Sequence, residues 1–261
     1  MNTRTAAADA DGVAENGAGT DIRAVSRVAQ ILALFQPTQP ELTATAVAAQ
    51  LGLNRTTAYR YCMSLAAAQL LERTDQGEFT PGAILLQLGA FALGRRDVLS
   101  VAPRHMRTLS ASTSATAVLS LWGATGPVVS AVAEETRRDV AVTVRVGTHL
   151  LLDSAQASIF LAYHPDQLYL ERLQANLPES ERDRLAERAS RTRDDGHASA
   201  ITSRGIAILA VPVFDAHGLC ASLALLSTRD VLSVEATSVQ LRTLRDGAAE
   251  LTAELGGTVL P

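Results

Sequence analysis

Lysine is absent from the sequence, so all 23 basic residues are arginine. With 27 acidic residues the formal net charge is -4, and no general positive field draws the chain to a nucleic acid. Any nucleic-acid binding must therefore come from a local arrangement of arginines. The planar guanidinium group suits phosphate and guanine, although codon bias alone also accounts for a chain without lysine.

Cysteines and long apolar runs are scarce as well. The two cysteines, Cys62 and Cys220, lie far apart in apolar segments, which predicts reduced thiols that pack as small hydrophobic groups. No stretch approaches the roughly 18 to 20 apolar residues of a membrane span, and the first 20 residues lack the basic start and apolar run of an export signal. We therefore expect a cytoplasmic protein without a membrane partner.

Several enzyme motifs are missing too. The sequence contains no Gly-x-Ser-x-Gly, His-Glu-x-x-His, Gly-x-x-x-x-Gly-Lys or Gly-x-Gly-x-x-Gly, and its five histidines and two cysteines show no metal-ligand spacing. We expect no catalytic residue, no metal and no cofactor. A small-molecule-processing enzyme that keeps a vestigial helical domain remains the alternative from another class.

The first third of the chain has the order of a winged helix-turn-helix. Apolar residues at helical spacing predict a first helix over residues 22–35. Thr43 is placed to cap a second helix that Gly52 ends, and Asn54 is placed to cap a third helix that runs to about Ala68. The segment LLERTDQGEFTPG then reads as two short strands around a turn, which is the position of a wing.

The third helix has two opposite faces. Ala58, Tyr61, Cys62 and Leu65 share one face at i, i+3, i+4, i+7 spacing and are predicted to pack inside. Thr56, Tyr59, Arg60 and Met63 share the other face, where side chains at the amino end of a recognition helix meet DNA bases. An ordinary solvated helix face is the alternative, and the order of capped helices and hairpin favours DNA binding. The residues predicted to contact DNA are Thr43, Thr45, Asn54, Arg55, Thr56, Thr57, Tyr59, Arg60 and Arg73.

The remaining chain mixes strands and helices without βαβ regularity, which predicts an α+β domain with an antiparallel sheet. A connecting helix carries an apolar side at Ile84, Leu85, Leu88 and Phe91. Predicted strands include ATAVLSLW, PVVSAVAEE, VAVTVRVG, IAILAVPVF and LCASLALLS, and helices are predicted over SAQASIFLAYH, within 166–193 and over 234–255.

These motifs resemble the IclR family of bacterial transcriptional regulators. The resemblance is carried by AVSRVAQILALF, LTATAVAAQLGLNRTTAYRYCMSLAAAQLLER, EFTPG and ILLQLGAF, and more weakly by VGTHLLLDSAQASIFLAYHP and GIAILAVPVFDAHGLCASLALLS. It implies a winged helix-turn-helix, a linker helix that dimerises, and a GAF-like effector-binding domain. The corresponding ranges are a flexible tail over 1–20, the DNA-binding domain over 21–82, the linker over 83–97 and the effector domain over 98–261.

The resemblance also implies function. Family members bind palindromic operators in double-stranded DNA as homodimers or dimers of dimers, frequently as repressors released by a small effector. Repressor is the favoured sign here, with activator open. The residues predicted to contact an effector are Leu151, Ser154, Gln156, Ser158, Ile208, Leu225 and Ser227.

The second domain departs from the family pattern. Leu151, Leu152, Asp153 and Ser154 stand where the family often has Pro-Leu-His-Ala, and Ile208 stands at a common Cys position. Groups that would hold a small carboxylate are therefore fewer. We expect either a less polar effector, apolar or aromatic, or a pocket that no longer binds a ligand.

Overall fold

The computed structural model describes residues 22–134 and 142–258. The predicted tail over residues 1–20 therefore lies outside the described residues. The chain divides into two units: Met1–Phe35 with Pro40–Ala83, and Gln36–Gln39 with Ile84–Pro261.

The first unit contains three helices and a two-stranded hairpin. Its elements are α1 (Arg23–Leu32), α2 (Ala44–Leu51), α3 (Arg55–Ala67), β1 (Leu71–Arg73) and β2 (Phe79–Pro81). The two strands pair antiparallel, with Glu72 opposite Thr80, and Leu42 bridges to Phe79 beside them. The predicted winged helix-turn-helix order is thus confirmed, and α1 is shorter than the predicted first helix.

One apolar core holds this unit together. It contains Ile31 of α1, Val47 of α2, Ala58, Cys62 and Leu65 of α3, and Leu42, Leu71 and Phe79 around the hairpin. The wing is anchored through Phe79, of which 1% is exposed. Burying such side chains removes apolar area from water, and this is the main force that fixes α3 on the other helices.

The second unit is built on a five-stranded sheet. Its elements are α4 (Ala83–Gly94), which starts one residue before the unit boundary, α5 (Asp97–Thr113), β3 (Thr116–Trp122), β4 (Pro127–Ala133), α6 (Ala155–Tyr163), α7 (Gln167–Gln174), α8 (Glu179–Asp195), β5 (Ala198–Ile201), β6 (Ile206–Asp215), β7 (Gly218–Thr228) and α9 (Val239–Glu254). The strand order is β4-β3-β7-β6-β5, and every neighbouring pair is antiparallel. The predicted α+β class is confirmed.

The sheet is covered on both faces. One face packs against α5 and α9 through residues such as Leu119, Leu209 and Leu223. The other face packs against α6 through Ala210 and Ala224. Since both faces are buried, the strands read as continuous apolar runs rather than as alternating ones.

Two strand predictions need correction. VAVTVRVG (residues 140–147) begins outside the described residues, and its described residues form no strand. Backbone bonds instead join the segment from Gly147 to Leu150 with β4, for example Val129 N–H to Thr148 O at 2.9 Å. The short edge strand β5 was not predicted. No helix in the described ranges is both long and apolar enough to cross a membrane.

Candidate nucleic-acid interface and effector site

The turn between α2 and α3 is set by three residues that the sequence singles out. The Thr43 hydroxyl accepts a hydrogen bond from the Ala46 N–H at 3.0 Å and caps α2. Gly52 ends α2 at φ 63°, a left-handed conformation that glycine adopts without steric cost. Asn54 Oδ1 accepts from the Thr57 N–H at 2.7 Å and starts α3 at Arg55.

The predicted faces of α3 differ in burial. Ala58, Cys62 and Leu65 are buried against the core. Thr56 and Arg60 are exposed, and 45% of Tyr59 is exposed. Met63 is the exception: helical spacing predicts it on the outer face, but it is half-buried and packs on the core.

The exposed groups at the start of α2 and α3 favour an anionic partner. Neither helix has an acidic residue in its first turn, so no carboxylate offsets the partial positive charge of the free N–H groups there. Thr45 and Arg55 are exposed in those first turns. Within the described residues, no carboxylate oxygen lies within 4.0 Å of the guanidinium groups of Arg55 or Arg60.

The wing carries charge of both signs. Arg73 is exposed at the end of β1. Near it, a side-chain hydrogen bond to Glu41 raises the pKa of Glu78 above its usual range. From residue 22 to residue 83 the sequence has five arginines and four acidic residues. The unit is nearly neutral, and its cationic groups at Arg55 and Arg60 lie on α3.

Three residues predicted to contact an effector make hydrogen bonds that hold α6 in place. Ser154 Oγ accepts from the Ala157 N–H at 3.2 Å and caps the helix. Gln156 Nε2 donates to Ser120 Oγ at 2.9 Å between helix and sheet, and Ser158 Oγ donates to Ser154 O. Leu151, just before the helix, is 71% exposed.

Leu225 and Ser227 lie on the opposite face of the sheet, so the structure does not bring them together with the other residues predicted to contact an effector. Leu225 pairs with Leu209, and Ser227 with Ala207, on the face that packs against α5 and α9. The sequence does not reveal this difference, because an apolar run buried on both sides conceals the alternation of a strand.

On β6 and β7, other residues lie on the face toward α6. Counting every second residue from Ile208 along the strand would have identified this face. Ile208 pairs with Leu226, and Ile206 pairs with Thr228. Two buried hydroxyls on the α6 face of the sheet, Thr116 Oγ1 of β3 and Ser222 Oγ of β7, have no hydrogen-bond partner in the described part of the chain. Polar groups therefore do line the sheet beneath α6.

A cavity of about 400 Å³ opens where α8 meets β5. Of the predicted effector residues, Ser158 lines it. The wall is polar and carries charge of both signs, and its other polar lining groups are Arg188, Arg191, Thr192, Asp195, His197 and Ser199. The described residues contain no group of three or more His, Cys, Asp and Glu side chains that could hold a metal ion.

Comparison with known proteins agrees with these two units. The family model of the IclR helix-turn-helix domain matches residues 24–75. Over 224 residues the chain is 26% identical to the DNA-binding transcriptional repressor YiaJ of Escherichia coli strain K12, which covers 80% of this chain and 79% of the relative.

Solved structures share the fold over nearly the whole chain. A protein from Silicibacter sp. TM1040, described as an IclR transcriptional regulator, matches with a TM-score of 0.76 at 22% identity and covers 91% of this chain and 98% of its own. An IclR homologue from Microbacterium hydrocarbonoxydans, solved in complex with 4-hydroxybenzoate, matches with a TM-score of 0.66 at 20% identity over 89% and 98%. The chain is thus similar to IclR transcriptional regulators in its helix-turn-helix domain and in its fold.

Proposed function

We propose that this chain is a sequence-specific DNA-binding repressor that inserts α3 into the major groove. The observation that carries the proposal is the exposed face of Thr56, Tyr59 and Arg60 on a helix whose opposite face is sealed in the core. Guanidinium groups form paired hydrogen bonds with guanine or with phosphate, and the hydroxyls of Thr56 and Thr57 suit backbone oxygens. The relative YiaJ is described as a repressor, which supports repression here.

The first turns of α2 and α3 supply the phosphate contacts in this proposal. Thr43 and Thr45 lie at the start of α2, and Asn54 and Arg55 at the start of α3. Free N–H groups at a helix start attract phosphate, and such contacts set the register of a protein on the duplex. Arg73 on the wing is placed to reach the flanking phosphates or minor groove.

A homodimer fits the exposed surface of α4. This helix contains no charged residue, none of its residues is buried, and 76% of Leu86, 57% of Leu88 and 64% of Phe91 are exposed. A contiguous apolar surface of this kind is typical of a protein interface. Two copies joined through α4 would present two α3 helices to a palindromic operator, and a dimer of dimers would present four.

The effector would act through the second unit. The cavity at α8 and β5 is lined by Ser158, and its charged and hydroxyl groups suit a ligand with hydrogen-bonding groups better than an apolar one. The IclR homologue bound to 4-hydroxybenzoate supports the idea that a chain of this fold takes up a small molecule. An effector changes the DNA affinity of the protein only if the effector itself binds the DNA-binding conformation and the other conformation with different affinities.

No observation in the described residues favours the enzymatic alternative. Because its proposed partner is DNA, we propose that the protein acts in the bacterial cytoplasm.

The experiment that tests this function is a nuclease footprint of the purified chain on genomic DNA, including the promoters of its own and adjacent genes. We expect protection of one palindromic sequence, with the two half-sites separated by about one helical turn or a multiple of it. Equal protection of unrelated DNA at physiological salt would contradict sequence-specific binding.

A further inference from the structure

The connection between α1 and α2 contains a turn, Gln36–Gln39, that belongs to the second unit, although Phe35 before it and Pro40 after it belong to the first. The chain therefore passes into the second unit and back again before it reaches α2. A contact that holds this turn in the second unit also restricts the connection between the two helices.

The turn is closed by its own backbone. The Gln36 N–H donates to Gln39 O at 3.3 Å, and the Gln39 N–H donates to Gln36 O at 2.8 Å. Pro37 takes the second position of this four-residue turn, where its fixed φ favours the bend. Neither bond uses Pro37 O, so this carbonyl is left to accept a hydrogen bond from another segment.

Arg145 supplies that hydrogen bond. Its Nη1 donates to Pro37 O at 3.0 Å. The ring of Pro37 also lies beside Gly147, since a Cβ added at Gly147 would be 3.4 Å from Pro37 Cγ. Within the described ranges no carboxylate oxygen lies within 4.0 Å of the Arg145 guanidinium, so no ion pair competes for it there. A polar contact and a packing contact thus hold the turn together.

The segment that carries Arg145 is itself fixed to the sheet. The Gly147 N–H donates to Val129 O at 2.8 Å, and the Leu150 N–H donates to Pro127 O at 2.8 Å, so both bonds end on β4. An exposed hydrogen bond between mobile groups contributes little, because ordering both groups costs conformational entropy. Here the donor is mounted on an ordered segment and the acceptor on a closed turn, so this cost is smaller.

The same segment leads into α6 and toward the candidate effector cavity. Soon after Arg145 the chain reaches Ser154, whose Oγ caps α6. Ser158 on that helix lines the cavity at α8 and β5. A change at the amino end of α6 would therefore act on the segment from which Arg145 reaches the turn.

The other end of the turn leads to the proposed phosphate contacts. After Gln39 the chain reaches Thr43, which caps α2, and Thr45, which is exposed in its first turn. Phosphate contacts set the register of a protein on the duplex. A turn that is ordered before DNA arrives removes part of the ordering cost from the binding step.

We propose that Arg145 is a positioning residue for DNA binding, which holds the Gln36–Gln39 turn and so couples operator affinity to the segment between Arg145 and α6. The inference rests on the proposed function, because it concerns the same binding of operator DNA. Arg145 acts through the turn and not by touching DNA, so its loss weakens the operator complex while the outer face of α3 stays intact.

Fluorescence anisotropy of the full chain on the footprinted operator compares Arg145→Met, which removes the donor, with Arg145→Lys, which keeps one donor for Pro37 O. Arg107→Met is the matched control, because Arg107 is exposed on α5 and makes no hydrogen bond in the described part of the chain. We expect the operator Kd to rise at least about fivefold for Arg145→Met, the lower end of ordinary coupling between sites. Arg145→Lys and Arg107→Met should stay within about twofold of wild type, and all three should melt like wild type.

Hydrogen exchange adds a readout that a purely local role would not change. Coupling between two sites is reciprocal, so operator DNA should slow the exchange of the Gly147 and Leu150 amides in the wild-type chain. The same DNA should leave these amides unprotected in Arg145→Met, because the contact that links them to the turn is gone.

The proposal is overturned if Arg145→Met binds the operator as tightly as wild type, if Arg107→Met loses as much affinity, if Arg145→Lys is no better than Arg145→Met, or if operator DNA has the same effect on the two amides in wild type and Arg145→Met. A wild-type chain that binds no operator contradicts the proposed function and this inference together. A wild-type chain that binds one, with the same affinity in Arg145→Met, contradicts the positioning role alone.

Discussion

Replacing Gly82 by alanine should destabilise the first unit through a backbone clash at the end of the wing. An added Cβ at Gly82 would lie within 3.0 Å of backbone atoms of Gln69 and Leu70. These atoms cannot withdraw easily, because Gln69 already has a left-handed φ of 58° and the Gly82 N–H donates to Leu70 O at 2.9 Å. The side chain therefore has to displace the hairpin from α3.

The magnitude follows from the cost of overpacking. Forcing one methyl group into a closed site costs about 1–3 kcal/mol, and the upper part of this range applies because the opposing atoms belong to the backbone. In a unit of this size each kcal/mol lowers the melting temperature by roughly 4–8 °C. Since Arg73 belongs to the displaced hairpin, operator affinity should fall as well.

Gly89→Ala provides the matched control. Gly89 lies in α4 with nothing within 4 Å of an added Cβ, so alanine there should stabilise the helix by roughly 0.5–1 kcal/mol. Thermal and urea unfolding followed by circular dichroism, together with fluorescence anisotropy on labelled operator DNA, measures both effects. A Gly82→Ala chain as stable as wild type would refute the steric argument and the placement of the hairpin on which it depends.

Three further predictions concern the cap of α3, the thiols and the α4 surface. Asn54→Ala removes the acceptor of the Thr57 N–H and should cost about 1 kcal/mol in urea unfolding, whereas Asn54→Asp should retain most of the stability; equal losses would exclude the cap. Burial raises the pKa of Cys220 to about 12, so at pH 9 its alkylation by iodoacetamide should be on the order of 100-fold slower in the folded than in the urea-unfolded chain. Because the folded chain favours the neutral Cys220 thiol, this group stabilises the folded state fully below pH 9, the pKa of an ordinary thiol, and the stabilisation is lost as the pH rises toward 12. Equal alkylation rates in the folded and unfolded chains would contradict the burial of Cys220. Phe91→Asp should turn the proposed dimer into a monomer in sedimentation at micromolar concentration, and an unchanged mass would remove α4 from the proposed interface.

Local signals in the sequence predict the first unit well. Thr43, Gly52 and Asn54 act on backbone groups within four residues of themselves, so their roles can be read from spacing alone. The helical period likewise separates Ala58 and Cys62 from Arg60. Met63 was misplaced because the core also receives side chains from the hairpin, which a helical period does not describe.

The second unit depends on contacts between distant segments, which spacing does not reveal. The order of the five strands brings β3 beside β7, and the side on which Leu225 lies follows from its register with Leu209. The short strand β5 has only four residues and two exposed positions, so its pattern is weak. VAVTVRVG has high β-propensity, yet propensity expresses a fit to a partner strand, and of its described residues Gly147 alone has a backbone bond to β4, from its N–H to Val129 O.

The operator affinity of Arg60→Ala, measured beside Arg182→Ala, tests the central claim most directly. Arg182 is exposed on α8, and its loss should leave binding unchanged. Loss of the Arg60 guanidinium should weaken the operator complex by about 1–3 kcal/mol and leave binding to unrelated DNA nearly the same, if it contacts a base. An Arg60→Ala chain that binds the operator as tightly as wild type would contradict the placement of the outer face of α3 in the major groove.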